Sequence, residues 1–132
     1  MRARLRGMTL IEVLVAMTIF AFGILGMLGM QARAISELSD AKYRTDATLL
    51  ADALINDVWA DRANIANYAY GGTGSAPAKV QPWLSQVQAV LPKANAFVTV
   101  NGGNQVTVQV TWQPLNAATQ HQHTEIATVQ SP

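Results

Sequence analysis

The stretch that decides the fold is Gly7-Met8-Thr9-Leu10-Ile11-Glu12-Val13-Leu14-Val15-Ala16-Met17, which joins a short basic head to a long apolar run. The 18 residues from Val13 to Met30 carry no charge. As a helix they would extend about 27 Å, close to the thickness of the hydrocarbon core of a bilayer. A carboxylate in a lipid-facing helix costs about 2.5–3.5 kcal/mol by insertion scales. Glu12 is therefore predicted to have a functional role.

The order of these residues, with a glycine before an apolar residue and then Thr-Leu-Ile-Glu, resembles the class III signal of type IV pilins and type II secretion pseudopilins. The resemblance implies that a prepilin peptidase cleaves between Gly7 and Met8 and methylates the new N-terminus at Met8. It also implies that Glu12 is the acid needed for assembly. The expected parts are a leader (1–7), a membrane and assembly half of the helix (8–30) and a periplasmic globular domain (31–132).

Electrostatics supports these roles separately. After cleavage, a free amine at Met8 and the positive end of the helix dipole would lie four residues from Glu12, and both favour an ionised carboxylate. The amine of one subunit could equally satisfy the acid of the next. Two other interpretations of the segment are a plain membrane anchor, with Glu12 reaching the headgroups, and a secretory signal cleaved at Ala32-Arg33-Ala34. The apolar run is longer than the 7–15 residues usual for such a signal.

Charge and cysteine content limit the possible classes of protein. The 132-residue chain has a net charge of +1, and removal of the three leader arginines leaves six basic against eight acidic side chains, a net charge of −2. The sequence has no basic stripe of the kind that binds nucleic acid, so no nucleic-acid partner is predicted. The leader arginines predict a cytoplasmic N-terminus, a single span and the remainder of the chain outside. The resemblance to pilins implies that the membrane is the bacterial inner membrane and that the C-terminal domain is periplasmic. The chain has no cysteine, so no disulfide can form.

The helix is predicted to continue from about Met8 to near Ile65, because no proline occurs before Pro77. Its second half carries an apolar stripe at steps of three and four residues, as expected of an amphipathic helix that packs on a domain core. The stripe consists of Tyr43, Ala47, Leu50, Ala51, Leu54 and Val58.

The remaining chain predicts a small cover for that stripe. The segment 71–77 is predicted to be a loop, and it lacks the Gly-Lys-Ser/Thr that ends a phosphate-binding loop. A short helix is predicted to follow, with Trp83 in the core, and to end at Pro92. Strands are predicted at 97–100, 105–112 and about 124–129, with Asn101-Gly102-Gly103-Asn104 as a hairpin turn. The predicted class is α+β: a long helix against an antiparallel sheet of about three strands.

Further positions resemble the PilV-type minor pilins; these are the run 43–52, Asp61-Arg62, Trp83, Leu91-Pro92 and the strand 106–112. The resemblance implies a minor subunit that helps to prime pilus assembly and supports twitching motility and adhesion. Its expected partners are the prepilin peptidase, other minor pilins, the major pilin, the inner-membrane assembly platform and, in several systems, a tip adhesin. The alternatives are an I-type minor pseudopilin of type II secretion and a membrane-anchored periplasmic binding domain.

No catalytic site is predicted. His121, His123 and Glu125 would share one face of an extended segment, a grouping that can hold a metal, but no fourth ligand is evident. Neither a metal nor another cofactor is therefore expected. Asp, Ser and His occur without a nucleophile-elbow or triad context, so the chain is predicted not to be an enzyme.

Overall fold

The computed structural model describes residues 5–115 and 117–130, with side chains from Thr9 onward. Two α-helices, α1 (Leu5–Ala60) and α2 (Gln81–Val90), flank a 3₁₀ segment at Arg62–Tyr68. Three strands follow: β1 (Asn95–Val100), β2 (Gln105–Trp112) and β3 (His121–Thr128). The α+β class and the three-stranded sheet predicted from the sequence are confirmed.

The chain forms two compact units, Met1–Ser39 and Asp40–Pro132. The first consists of the apolar part of α1. The part of α1 from Thr9 to Ala60 is the one described helix long and apolar enough to cross a membrane, and none of its most apolar window is buried.

The prediction that the long helix ends near Ile65 is wrong, because α1 ends at Ala60. Asp61 has non-helical dihedrals (φ −118°, ψ 38°), and Asn64 is also non-helical (φ −116°, ψ 26°). The Asn64 amide donates to the Asp61 carboxylate at 2.7 Å. Such a local side-chain bond competes with regular helix formation, so the chain tightens into the 3₁₀ segment. At the other end, α1 begins at Leu5, three residues before the predicted start.

The sheet is antiparallel with strand order β1-β2-β3. The prediction for β2 is confirmed to the residue, whereas β1 begins two residues earlier than expected and β3 begins at His121, not near Thr124. The extra residues of β3 pair with the end of β2: His121 is opposite Trp112, and the two rings stack with centroids 5.8 Å apart. At the predicted hairpin, the Asn101 carboxamide accepts from the Gln105 backbone N–H at 3.0 Å.

The core of the second unit lies between α1, α2 and the inner face of the sheet. The predicted stripe is confirmed: Ala47, Ala51, Leu54 and Val58 are fully buried, and the other two members pack partly buried against them. Trp83 is buried in this core as predicted. Its indole N–H donates to the Leu50 carbonyl of α1 at 2.7 Å, which satisfies its polar atom.

One position of β2 departs from the alternation of the strand. Thr111 follows the buried Val110 and would face solvent by strict alternation, but it is only 7% exposed. Its hydroxyl donates to the Asn95 carbonyl of β1 at 3.3 Å. The burial is therefore tolerated because the hydroxyl has a partner.

Candidate functional site

The predicted processing and assembly residues all lie on the first turns of α1. Gly7 and Met8 are helical, and the Met8 side chain lies outside the described part of the structure. Glu12 is exposed. Because Met8 and Glu12 are four residues apart in one helix, their positions fall on one face. The structure thus brings the predicted first residue and the predicted acid to neighbouring positions.

The side chains that follow Glu12 are almost all exposed in the isolated chain. Phe20 and Phe22, for example, expose 68% and 70% of their surface. An added Cβ at Gly23, Gly26 or Gly29 would meet no atom within 4 Å. A large contiguous apolar surface of this kind marks contact with lipid or with other proteins.

Comparison with known proteins bears on this same segment. The family model described as the prokaryotic N-terminal methylation motif matches residues 2–28. Residues 2–28 therefore carry the type IV pilin and pseudopilin motif. No curated protein and no solved structure matches the chain.

The motif accounts for a glycine directly before the apolar run and for one acid, Glu12, near its start. It implies processing by a prepilin peptidase and pilus-type assembly. Together with the fold, it indicates a structural protein and not an enzyme. The long apolar helix is consistent with membrane anchoring of such a protein.

A second polar site, which the sequence analysis missed, lies where α1 ends. The Asp61 carboxylate accepts hydrogen bonds from Asn64, from the Tyr68 hydroxyl at 3.2 Å and from the Lys79 ammonium. Lys79 also lies 5.8 Å from the centre of the Tyr68 ring, a cation–π contact. These contacts connect the loop before α2 to the end of α1.

The electrostatics of the Asp61 site follows from the same contacts. The Lys79 hydrogen bond, followed by the Asn64 one, lowers the pKa of Asp61 below its usual 3.8. The pKa of Lys79 is raised above 10.5, first by the same bond. Burial, and then the charge of Asp61, raises the pKa of the Tyr68 hydroxyl. The sequence places Asp61, Arg62 and Asn64 close together, but it does not indicate Lys79, which comes from a loop 18 residues further along the chain.

The three residues that the sequence groups as possible metal ligands lie on β3. His121, His123 and Glu125 do share one face, as an extended segment requires. Nevertheless, among residues 5–115 and 117–130 no group of three or more His, Cys, Asp or Glu side chains is arranged to hold a metal ion. His121 and His123 instead line a cleft of about 210 Å³ together with Arg44, Thr48 and Trp112.

Proposed function

We propose that this protein is a minor pilin of a type IV pilus, most similar to the PilV type, that helps to start pilus assembly and supports twitching motility and adhesion. The observation that carries the proposal is the methylation motif at residues 2–28, joined to a helix whose apolar half is exposed. The small α+β unit from Asp40 onward is compatible with a pilin head. The absence of cysteine favours a minor subunit, since most major pilins resemble one another in having a C-terminal disulfide loop.

In this proposal, prepilin peptidase cleaves between Gly7 and Met8 and methylates the Met8 amine. Residues 8–30 remain in the inner membrane with the globular domain (31–132) in the periplasm, until the assembly platform moves the subunit into the filament. There the exposed apolar surface is covered by neighbouring helices. The Met8 amine of the same subunit, or of a neighbouring subunit, balances the charge of the Glu12 carboxylate. Proteolysis therefore creates the positive charge that makes a buried acid tolerable.

The Glu12→Val variant tests the assembly role. It is expected to insert and to be cleaved normally, yet to be lost from pili, because the amine then has no acid to meet. Glu37→Val is the matched control, since Glu37 is an exposed glutamate on the same helix. Pili and membrane fractions are immunoblotted for the protein. Normal incorporation of Glu12→Val would contradict the assembly role and favour a membrane-anchored binding domain.

Mass spectrometry of the mature protein tests processing. N-methylated Met8 is expected as the first residue, because the junction Gly7–Met8 lies within the matched motif. A mature chain that begins at residue 35 would instead identify an ordinary secretory signal.

An I-type minor pseudopilin of type II secretion is the second candidate, and the start Met8-Thr9-Leu10-Ile11-Glu12-Val13 favours it. Deletion of the protein separates the two. Loss of surface pili and twitching with normal protein export is expected for a minor pilin. Loss of export with normal pili would assign the protein to secretion.

A further inference from the structure

Strand β3 forms one edge of the sheet, and its backbone pairs with β2 through every second residue. Just beyond the end of β3, the Val129 N–H donates to the Asn104 carbonyl at 2.9 Å, so these two residues form a hydrogen-bonded pair. In an antiparallel ladder, hydrogen-bonded and non-hydrogen-bonded pairs alternate. Counting back along the register, the backbone groups of His123 and Glu125 are therefore directed towards β2.

The backbone groups of Gln122, Thr124 and Ile126 consequently point away from the sheet. In the part of the chain that the structure describes, no residue forms a hydrogen bond with them. Lysines, prolines and bulges are common means of blocking a sheet edge. β3 contains no lysine or proline, and its register with β2 runs without a bulge. The edge of β3 is therefore open to an added strand.

The opposite edge of the sheet, formed by β1, is already occupied at its centre. Tyr70 and Val98 exchange both of their backbone hydrogen bonds, each at 2.8 Å. Tyr70 is also part of the buried core, so another strand could pair along β1 only by displacing it. β3 is therefore the edge at which this sheet can be extended.

Two ionisable side chains lie on the inner face of the open edge. Val108 is opposite Glu125 and Val110 is opposite His123, and both valines are fully buried. Because cross-strand partners project to the same face, Glu125 and His123 lie on the core side. Their side chains are 30% and 29% exposed, and the facing atoms Oε2 and Nε2 are 3.7 Å apart, too far for a hydrogen bond. Neither atom has a partner within the described chain, so both side chains retain bonding capacity.

A permanent positive charge lies beside His123. Arg44 of α1 lines the cleft of about 210 Å³ together with His121 and His123. Across residues 5–115 and 117–130, no carboxylate forms an ion pair with Arg44. A guanidinium is always charged and only donates hydrogen bonds. The edge therefore favours an acidic neighbour beside His123 and a basic neighbour beside Glu125.

We propose that β3 accepts an extended segment of another protein as a fourth, antiparallel strand, with a basic residue opposite Glu125 and an acidic residue opposite His123. In an antiparallel partner the residue opposite Glu125 comes first, and the residue opposite His123 follows two positions later on the same face. The recognised pattern is thus basic-x-acidic within a β-forming segment. Backbone hydrogen bonds give such an added strand its affinity, and side chains on one face give it specificity.

The test uses the full chain in detergent micelles and the synthetic peptide Thr-Val-Thr-Lys-Thr-Glu-Thr-Val-Thr, followed by NMR of the backbone amides. A control peptide with lysine and glutamate exchanged has the same composition. It should bind about tenfold more weakly, because two attractive cross-strand pairs become repulsive. The N–H groups of Gln122, Thr124 and Ile126 should become protected from hydrogen exchange. Those of His123 and Glu125, already bonded to β2, should change less.

Modified partners separate backbone pairing from charge. Thr124→Pro removes an outward N–H that the chain does not use, so it should abolish binding with little change in the urea midpoint. A peptide N-methylated at its central threonine should also fail to bind, and this control leaves the protein unaltered. Arg44→Gln should reduce the difference between the two peptides, whereas Arg62→Gln, at another exposed arginine, should not.

Equal binding of the two charged peptides would overturn the proposal. So would the absence of amide shifts at millimolar peptide, or binding that N-methylation leaves intact. A dimer of the chain that protects the same amides without peptide would assign the edge to a second copy and would equally refute a partner of this kind. All of these measurements use the purified chain, so their outcome is independent of the proposed role in pilus assembly.

Discussion

Gly72 and Gly74 lie two residues apart in the same loop with nearly the same φ angle but different surroundings. Their φ angles are +79° and +76°, in the left-handed region that side chains other than glycine rarely adopt. An added Cβ at Gly72 would lie 2.6 Å from Phe97 Cδ1 and closer still to Cε1, whereas one at Gly74 would meet nothing within 4 Å. The pair therefore separates backbone strain from steric overlap.

The expected losses of stability differ accordingly. A residue with a Cβ in the left-handed region costs about 1–2 kcal/mol, and both variants to alanine incur this. Gly72→Ala must in addition displace the Phe97 ring, and overpacking of this kind costs about 1–3 kcal/mol. We expect about 1–2 kcal/mol for Gly74→Ala and about 2–5 kcal/mol for Gly72→Ala.

Urea unfolding of the two variants and the wild type, followed by tryptophan fluorescence, measures both losses. Addition of Phe97→Leu to Gly72→Ala should recover part of the excess, because the shorter side chain no longer reaches the new methyl group. Equal losses for the two glycine variants would refute the steric reasoning. So would a double variant whose loss is the sum of its two single losses.

Two other variants test the core and the Asp61 site. Leu54→Ala should cost about 2–5 kcal/mol in urea unfolding, because Leu54 is fully buried, whereas Leu49→Ala, at a 61% exposed position on the same helix, should change little. Lys79→Gln should flatten the acid limb of a stability profile. The lowered pKa of Asp61 gives stability that is present above about pH 4 and is lost as the pH falls through the folded value, and Lys79 is its largest cause. An acid limb as steep as that of the wild type would show that Asp61 does not depend on Lys79.

The elements whose sequence pattern involves residues close together in the chain could be predicted from the sequence. The apolar stripe on α1 repeats at the helical period, β2 alternates with period two, and Asn101-Gly102-Gly103-Asn104 supplies a turn between two β-rich runs. The Gly7–Met8 junction and Glu12 were equally visible, because that motif lies in one uninterrupted run. Their roles in cleavage and assembly remain proposals.

Sequence by itself thus determined the α+β class, the apolar half of α1 and its methylation motif, since each is carried by side chains a few positions apart. Only the tertiary structure decided where β3 begins and that Lys79 meets Asp61. Asp61 finds Lys79 from a loop 18 residues away, and the first residues of β3 are held by pairing with the end of β2. Such contacts depend on the sheet register and on packing between distant segments, and no local pattern of residues encodes them.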